Sequence, residues 1–326
     1  MRTIGLMAVA ACVAYGGMTA TSHAQTDAYP TRPIRVVNPF SPGGPTDIYL
    51  RPMFDKMSEW MKQPIVIESQ PGASGDLGAT VASRAAPDGY TFLIISNTHA
   101  INEALGRKRA YSLMQDFVPV TQFFRADHVL VAHPSLQVKS LSELIAMAKE
   151  QPGKITFASS GPGSNYHLAG ELFGSLAGIK LFHVPYRSSG QARSDVLAGH
   201  VQLIFDTSAT MKPHIEEGKV TVLGTTGRER SLALPNVPTI GEAGLKDYEV
   251  MSWAALLAPK GTPPEIISRF QKEVRRYMDT PEGQAIVAKQ GWSAIGNTPE
   301  DFATSLRSEI GFWSKVIQDC QCLAEN

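Results

Sequence analysis

The chain carries three cysteines in 326 residues, too few for a disulfide scaffold. Thirty Lys and Arg are balanced by thirty Asp and Glu, so no excess of either sign exists. That balance excludes a general nucleic-acid binder, although not a local basic patch. Beyond the first two dozen residues no run of 18 apolar residues occurs, which leaves no candidate membrane-spanning helix. Nucleotide and catalytic motifs are also missing. Gly153-Lys154-Ile155 and Gly218-Lys219-Val220 lack the Ser or Thr of a phosphate loop. Gly161-Pro162-Gly163 is followed by Tyr166 where a dinucleotide fingerprint needs its third Gly. Gly72-Ala73-Ser74-Gly75-Asp76 breaks the nucleophile elbow, and His214-Ile215-Glu216-Glu217 lacks the second His of a zinc protease. The eight His residues are scattered, and neither a metal site nor a cofactor is indicated.

What is present is an ordinary globular composition, 43% hydrophobic, long enough for two lobes around a large core. Residues Met1 to Ala24 read as a secretory signal, with Arg2 as its basic start and Ser22-His23-Ala24 as its cleavage site. Val9-Ala10-Ala11-Cys12 has the look of a lipidation box, but Cys12 leaves no full apolar segment before it. The expected product is a periplasmic chain with a net charge of −1, because only Arg2 is lost with the signal. Cys320 and Cys322 then remain, read as terminal thiols or a local bridge.

Strand-like and helix-like stretches alternate. Ile34, Val36 and Val37 form a short β-branched run, followed by a Pro/Gly turn and by Met53, Met57, Trp60 and Met61 at helical spacing. Further strands are expected at 65–67 and 92–95, and a second unit spans 155–224. Three helices near the end each carry Pro in the first turn, at Pro264, Pro281 and Pro299. This order predicts an α/β fold with parallel sheets covered by helices. Two long strand-like segments, 118–132 and 248–258, link the units. The predicted organisation is lobe 1 from 25–127 with 256–326, lobe 2 from 128–255, and two crossover strands at a hinge.

Candidate binding residues cluster in turns between strand and helix. Phe40, Ser41, Gly43, Gly44, Thr46 and Asp47 form one, and Ser160, Gly163, Ser164 and Asn165 another. Glycine permits close approach of backbone N–H groups, and a helix N-terminus favours an anion by about 0.3–1 kcal/mol. Facing each other across a hinge, two such turns suit a small anionic molecule. Ser96, Asn97 and Thr98 follow a third strand, and Asp206 a fourth, at the carboxyl ends where open α/β sheets bind ligands.

Ordered landmarks extend this reading. They include Pro33-Ile34-Arg35-Val36-Val37, Pro42-Gly43-Gly44-Pro45-Thr46-Asp47, Gln70-Pro71-Gly72-Ala73-Ser74-Gly75, Ala86-Pro87-Asp88-Gly89-Tyr90-Thr91, Gly163-Ser164-Asn165-Tyr166-His167-Leu168, and Leu234-Pro235-Asn236-Val237-Pro238-Thr239. With them the chain resembles the periplasmic receptors of tripartite tricarboxylate transporters, the Bug-type family, from Tyr29 to Lys315. The resemblance implies a two-lobed periplasmic binding protein of type II, without enzymatic activity, working as a monomer. It implies a small carboxylate ligand held by loop backbone, and membrane permease subunits as partners. On these positions it points to Ser41, Gly43, Gly44, Thr46, Ser160, Gly163 and Ser164, then to Ser96, Thr98, Tyr186 and Asp206.

Some features depart from the pattern. Tyr49 and Leu50 are bulkier than expected, and Pro52 is expected to kink the first helix. Arg107, Lys108 and Arg109 form either a solvated loop or a basic rim to the cleft. His167 reads as a helix-start residue more than a ligand contact, and Trp253 equally as core or cleft wall. Two other functions fit the residues: a serine hydrolase built on Ser164, His167 and Asp206, and a ligand-capturing sensor subunit for a membrane kinase. Citrate-like acids, C4 to C6 dicarboxylates, amino acids and aromatic acids are all compatible ligands.

Overall fold

The strands β1 (Ile34–Asn38) and β3 (Thr91–Ser96) are rich in Val, Ile and Leu and buried almost throughout, as strands covered by helices on both faces must be. The computed structural model describes residues 29–40, 42, 45–106 and 108–320, the side chains of 45–48 and 320 excepted. The signal segment 1–24, Ser41, Gly43, Gly44, Arg107 and Cys322 therefore lie outside the described residues, as do the side chains of Thr46, Asp47 and Cys320.

The chain opens with β1 (Ile34–Asn38), α1 (Pro45–Met61), β2 (Ile65–Ser69), α2 (Asp76–Ser83), β3 (Thr91–Ser96) and α3 (Asn97–Ala104). A short α4 (Leu113–Asp116) precedes the long β4 (Phe117–Ala132). The second unit holds α5 (Leu141–Glu150), β5 (Thr156–Ser159), α6 (Asn165–Ala177), β6 (Phe182–Pro185), α7 (Ser189–Leu197), β7 (Leu203–Thr207), α8 (Ser208–Glu216) and β8 (Thr221–Thr225). The return strand β9 (Met251–Pro259) leads to α9 (Pro264–Met278), α10 (Pro281–Lys289), β10 (Ser293–Ala294) and α11 (Pro299–Cys320).

One strand path runs β2-β1-β3-β9-β4-β7-β5-β6. Within it β1 pairs in parallel with β2 and β3, and β5 in parallel with β6 and β7. Strand β4 belongs to both halves. Its first part, from Phe117 to Asp127, lies antiparallel to β9, and its last part, from His128 to Ala132, lies antiparallel to β7. The two crossings expected from sequence are thus neighbours, side by side. Register shifts between Pro119 and Thr121 and between Gln122 and Phe124 bend the ladder in its first part.

Helix α1 runs from Pro45 to Met61 with Pro52 inside it. It buries Tyr49, Leu50, Met53, Phe54, Met57 and Met61 against α9 and one face of the first sheet. Helix α9 matches it with Ile266, Ile267, Phe270 and Val274 inward. Helix α11 lies across both halves. Phe302 and Leu306 join the cluster around β3 and β9, whereas Trp313 and Val316 join that around Phe157, Leu168 and Phe205. Helix α11 thus reaches into the middle segment's core.

Candidate functional site

The loop between β5 and α6 is built by its own side chains. Ser164 caps α6, its Oγ accepting from the His167 N–H at 3.2 Å. The His167 ring accepts the Gly163 N–H at its Nδ1 (3.1 Å) and stacks on His183 with centroids 3.9 Å apart. His167 is 3% exposed, so it fixes the helix start rather than meeting a ligand. Two consequences correct the sequence reading. Gly163 lines the cleft, but its N–H is already taken, and the Ser164 hydroxyl already accepts a bond. The first-turn N–H groups of Asn165 and Tyr166 are the ones that lack an acceptor among the described residues, as expected for a helix start.

Opposite stands the first lobe. Phe40, Thr98, Ser160, Gly163 and Ser164, all singled out from sequence, line one cavity of about 520 Å³ that opens between the halves. Gly72, Ser74, Gly75 and Asn102 line it too. They were not chosen from sequence, although the paired glycines of Gln70–Gly75 were a signal. Four consecutive residues of that loop have positive φ: Gly72 at 140°, Ala73 at 48°, Ser74 at 54° and Gly75 at 94°. At Gly75 a Cβ would sit 2.7 Å from the His99 Nε2, so only glycine fits.

A polar hub fastens this loop. Asp76, first residue of α2, accepts from Arg109 Nε (3.0 Å), Tyr111 hydroxyl (2.7 Å) and Asn102 Nδ2 (3.3 Å). Asn102 Nδ2 also donates to the Ser74 carbonyl at 3.2 Å. Arg109 is nearly buried at 8% side-chain exposure, so it is neither solvated loop nor basic rim, whereas Lys108 is exposed. Ser96 was expected at the ligand; instead it caps α3, in a reciprocal pair with His99. Asn97 is 5% exposed and turned inward.

Between the lobes, the β4 residue His128 is wholly buried. Its Nε2 lies 2.8 Å from Asn165 Nδ2 and 3.1 Å from Ser252 Oγ of β9. Asn165 is therefore tied to both crossing strands. Burial pushes His128 down to about 3 and His99 down to about 4, so both rings are neutral. Trp253 is core, donating its indole N–H to the Glu309 carboxylate.

Asp206 does not offer a free carboxylate. It is 1% exposed; Oδ1 accepts from the Thr207 N–H and Oδ2 from Arg193 Nε, both at 2.8 Å. Tyr186 likewise spends its hydroxyl on Asp195, at 2.7 Å. The hydrolase arrangement is not assembled. Ser164 Oγ meets the His167 backbone, the His167 ring meets Gly163 and Glu171, and Asp206 meets Arg193. Among the described residues no group of three or more His, Cys, Asp or Glu is placed to hold a metal, and no helix is long and apolar enough to cross a membrane.

The profile of the family described as "Tripartite tricarboxylate transporter family receptor" matches residues 49–321. A UPF0065 protein from the tcbD-tcbE intergenic region of Pseudomonas sp. (strain P51) is 36% identical over 97% of this chain and 95% of its own length. BugT of Bordetella pertussis is 33% identical over 94% of each chain. Among solved structures, Rpa4515 of R. palustris, with adipate, superposes with a TM-score of 0.77 at 34% identity, covering 90% of this chain and 98% of that one. MatC of Rhodopseudomonas palustris, with bound malate, gives 0.74 at 32% identity, covering 89% and 100%.

Proposed function

The chain belongs to the tripartite tricarboxylate transporter receptors of Bug type, and from that premise we propose that it captures a small carboxylate in the periplasm and hands it to membrane permease subunits. One observation carries the reading: residues of two opposed strand-to-helix loops, one in each half, share a single inter-lobe cavity of about 520 Å³. That volume suits a small organic molecule. The acceptor-free N–H groups at the start of α6 favour an anion there through the helix dipole. Adipate in one relative and malate in another support a carboxylate cargo. Ser41, Gly43, Gly44, Thr46 and Asp47 complete the opposite wall in this proposal. Export by the segment 1–24 and a monomeric working state belong to the same reading.

The test is a thermal-shift screen of carboxylates, sugars and metal ions against the exported protein. Carboxylates raise the melting temperature, because ligand that binds only the folded state stabilises it by mass action. Sugars and metal ions do not. Ser160→Trp, which fills the cavity from its rim, removes the shift while the unliganded melting temperature stays within a few degrees. A screen in which no carboxylate stabilises the protein overturns the assignment.

A further inference from the structure

Among the described residues, a second cavity of about 400 Å³ shares no part of its lining with the first. Its walls come from the crossing strands β4 and β9, from α11, and from the middle segment just before β9. Arg125 of β4 lines it. The Arg125 Nε is buried without a hydrogen-bond partner, and among the described residues its guanidinium joins no ion pair. Glu309 of α11 lines the same space. Its carboxylate accepts the indole N–H of Trp253 at 2.7 Å and that of Trp313 at 3.3 Å. It feels the Arg125 charge without touching it.

A cation and an anion that share one cavity and do not meet are costly, since each gives up water and neither gains the other. A simple anion relieves only the guanidinium, and a simple cation only the carboxylate. A molecule that carries both charges a few atoms apart relieves both, and an α-amino acid is the smallest common molecule of that kind. Its carboxylate matches the planar fork of an Arg, and its ammonium donates to a carboxylate. A further anion stands at the rim: Asp247 is exposed and joins no ion pair among the described residues, whereas Glu249 is balanced by Arg228. The rest of the wall is largely apolar, with Met251, Phe312 and the Trp253 and Trp313 rings. Phe312 keeps 36% of its exposure, an apolar surface with nothing yet laid against it. The volume is at the lower end of the range, about 300–1,000 Å³, in which small ligands are held.

We propose that this cavity is a second ligand site, taking an α-amino acid with an apolar side chain as a zwitterion between Arg125 and Glu309. It lies outside the cargo cleft and does not depend on what the cleft carries.

Isothermal titration with L-phenylalanine and L-leucine reads the site. Each is compared with its analogues lacking one charge, which for phenylalanine are 3-phenylpropanoate and phenethylamine. All titrations are repeated in Ser160→Trp, whose filled cleft cannot hold a monoacid. In that variant at least one of the two amino acids still binds, and its single-charge analogues bind at least about tenfold more weakly. Arg125→Gln lowers the amino acid's affinity at least about tenfold, because the ligand carboxylate is left buried without its partner. Ser308→Trp fills the cavity from an exposed position of α11 and abolishes amino-acid binding, while the thermal shift given by carboxylates in the cleft persists. Far-UV circular dichroism and the unliganded melting temperature confirm that each variant is folded; Ser308→Trp, being a surface change, decides the matter if Arg125→Gln is not. The proposal is overturned if neither amino acid binds, if the analogues bind as tightly, or if binding survives Ser308→Trp. Binding lost in Ser160→Trp also overturns it, since the amino acid then occupies the cleft. A carboxylate screen without a hit removes the cargo reading alone.

Discussion

Asp76 shows how single residues hold the cleft in shape. Three donors converge on its carboxylate, and Arg109 is nearly buried behind it. Asp76→Ala leaves that guanidinium without a partner and is expected to lower stability by about 2–4 kcal/mol in urea unfolding. The exposed pair Arg32–Asp88 is the contrast: Arg32→Ala is expected to change stability by less than about 1 kcal/mol. Histidines set the acid response. The unfolded chain protonates His99 and His128 below their ordinary value of 6.5, whereas the folded chain leaves them neutral down to about 4 and about 3. Their contribution to stability is therefore complete above pH 6.5 and is lost as pH falls through the window toward 4. Asp127, Asp206 and Glu309, raised by burial, act in the opposite sense at acid pH, so they soften that slope. His99→Gln is expected to flatten the drop in melting temperature between pH 6.5 and 4.5, since Gln at the third helical position retains the reciprocal bond with Ser96. None of this was legible in sequence. Arg109 read as part of a basic stretch because its partner, Asp76, is 33 residues away.

At the scale of elements the sequence was more informative. Strands β1 and β3 and helices α9 and α11 stand close to where periodicity and Pro-led starts put them, because each has one dominant pattern and a clear stop. The residues after β3 are the exception. Ser96 to His99 read as an open turn, yet Ser96 and His99 cap each other and start α3 at once. A His in the reciprocal position is not the Glu or Gln that the pattern teaches one to look for. The loop before α2 leaves no such mark: Ala73 and Ser74 lie in the left-handed region between two glycines that also have positive φ. Non-glycine residues there are strained by about 1–2 kcal/mol each. Ala73→Gly is accordingly expected to leave the melting temperature unchanged or raise it by a few degrees, the relief being offset in part by greater freedom of the unfolded chain. Circular dichroism melts decide it, and a clear fall contradicts the strain argument.

For the whole molecule, the paired crossings at β4 and β9 were readable as two long apolar segments, but their adjacency was not, since pairing over more than a hundred residues of separation leaves no local mark. The reach of α11 into the second core was equally hidden. Trp313 is 2% exposed and packs in the cluster of the middle segment, although its helix follows the first lobe's strands. Trp313→Ala is expected to cost about 3–5 kcal/mol and to loosen one half against the other. Small-angle scattering checks the second effect: the radius of gyration of the unliganded variant exceeds that of the parent.

Strand β4 is sixteen residues long and gives its first part to one sheet and its last part to the other without a break. The passage from one ladder to the other, between Asp127 and His128, is made by unbroken extended backbone, and the register shifts against β9 lie before it, between Pro119 and Thr121 and between Gln122 and Phe124. Along this strand the two halves are joined by paired main chain and not by a loop.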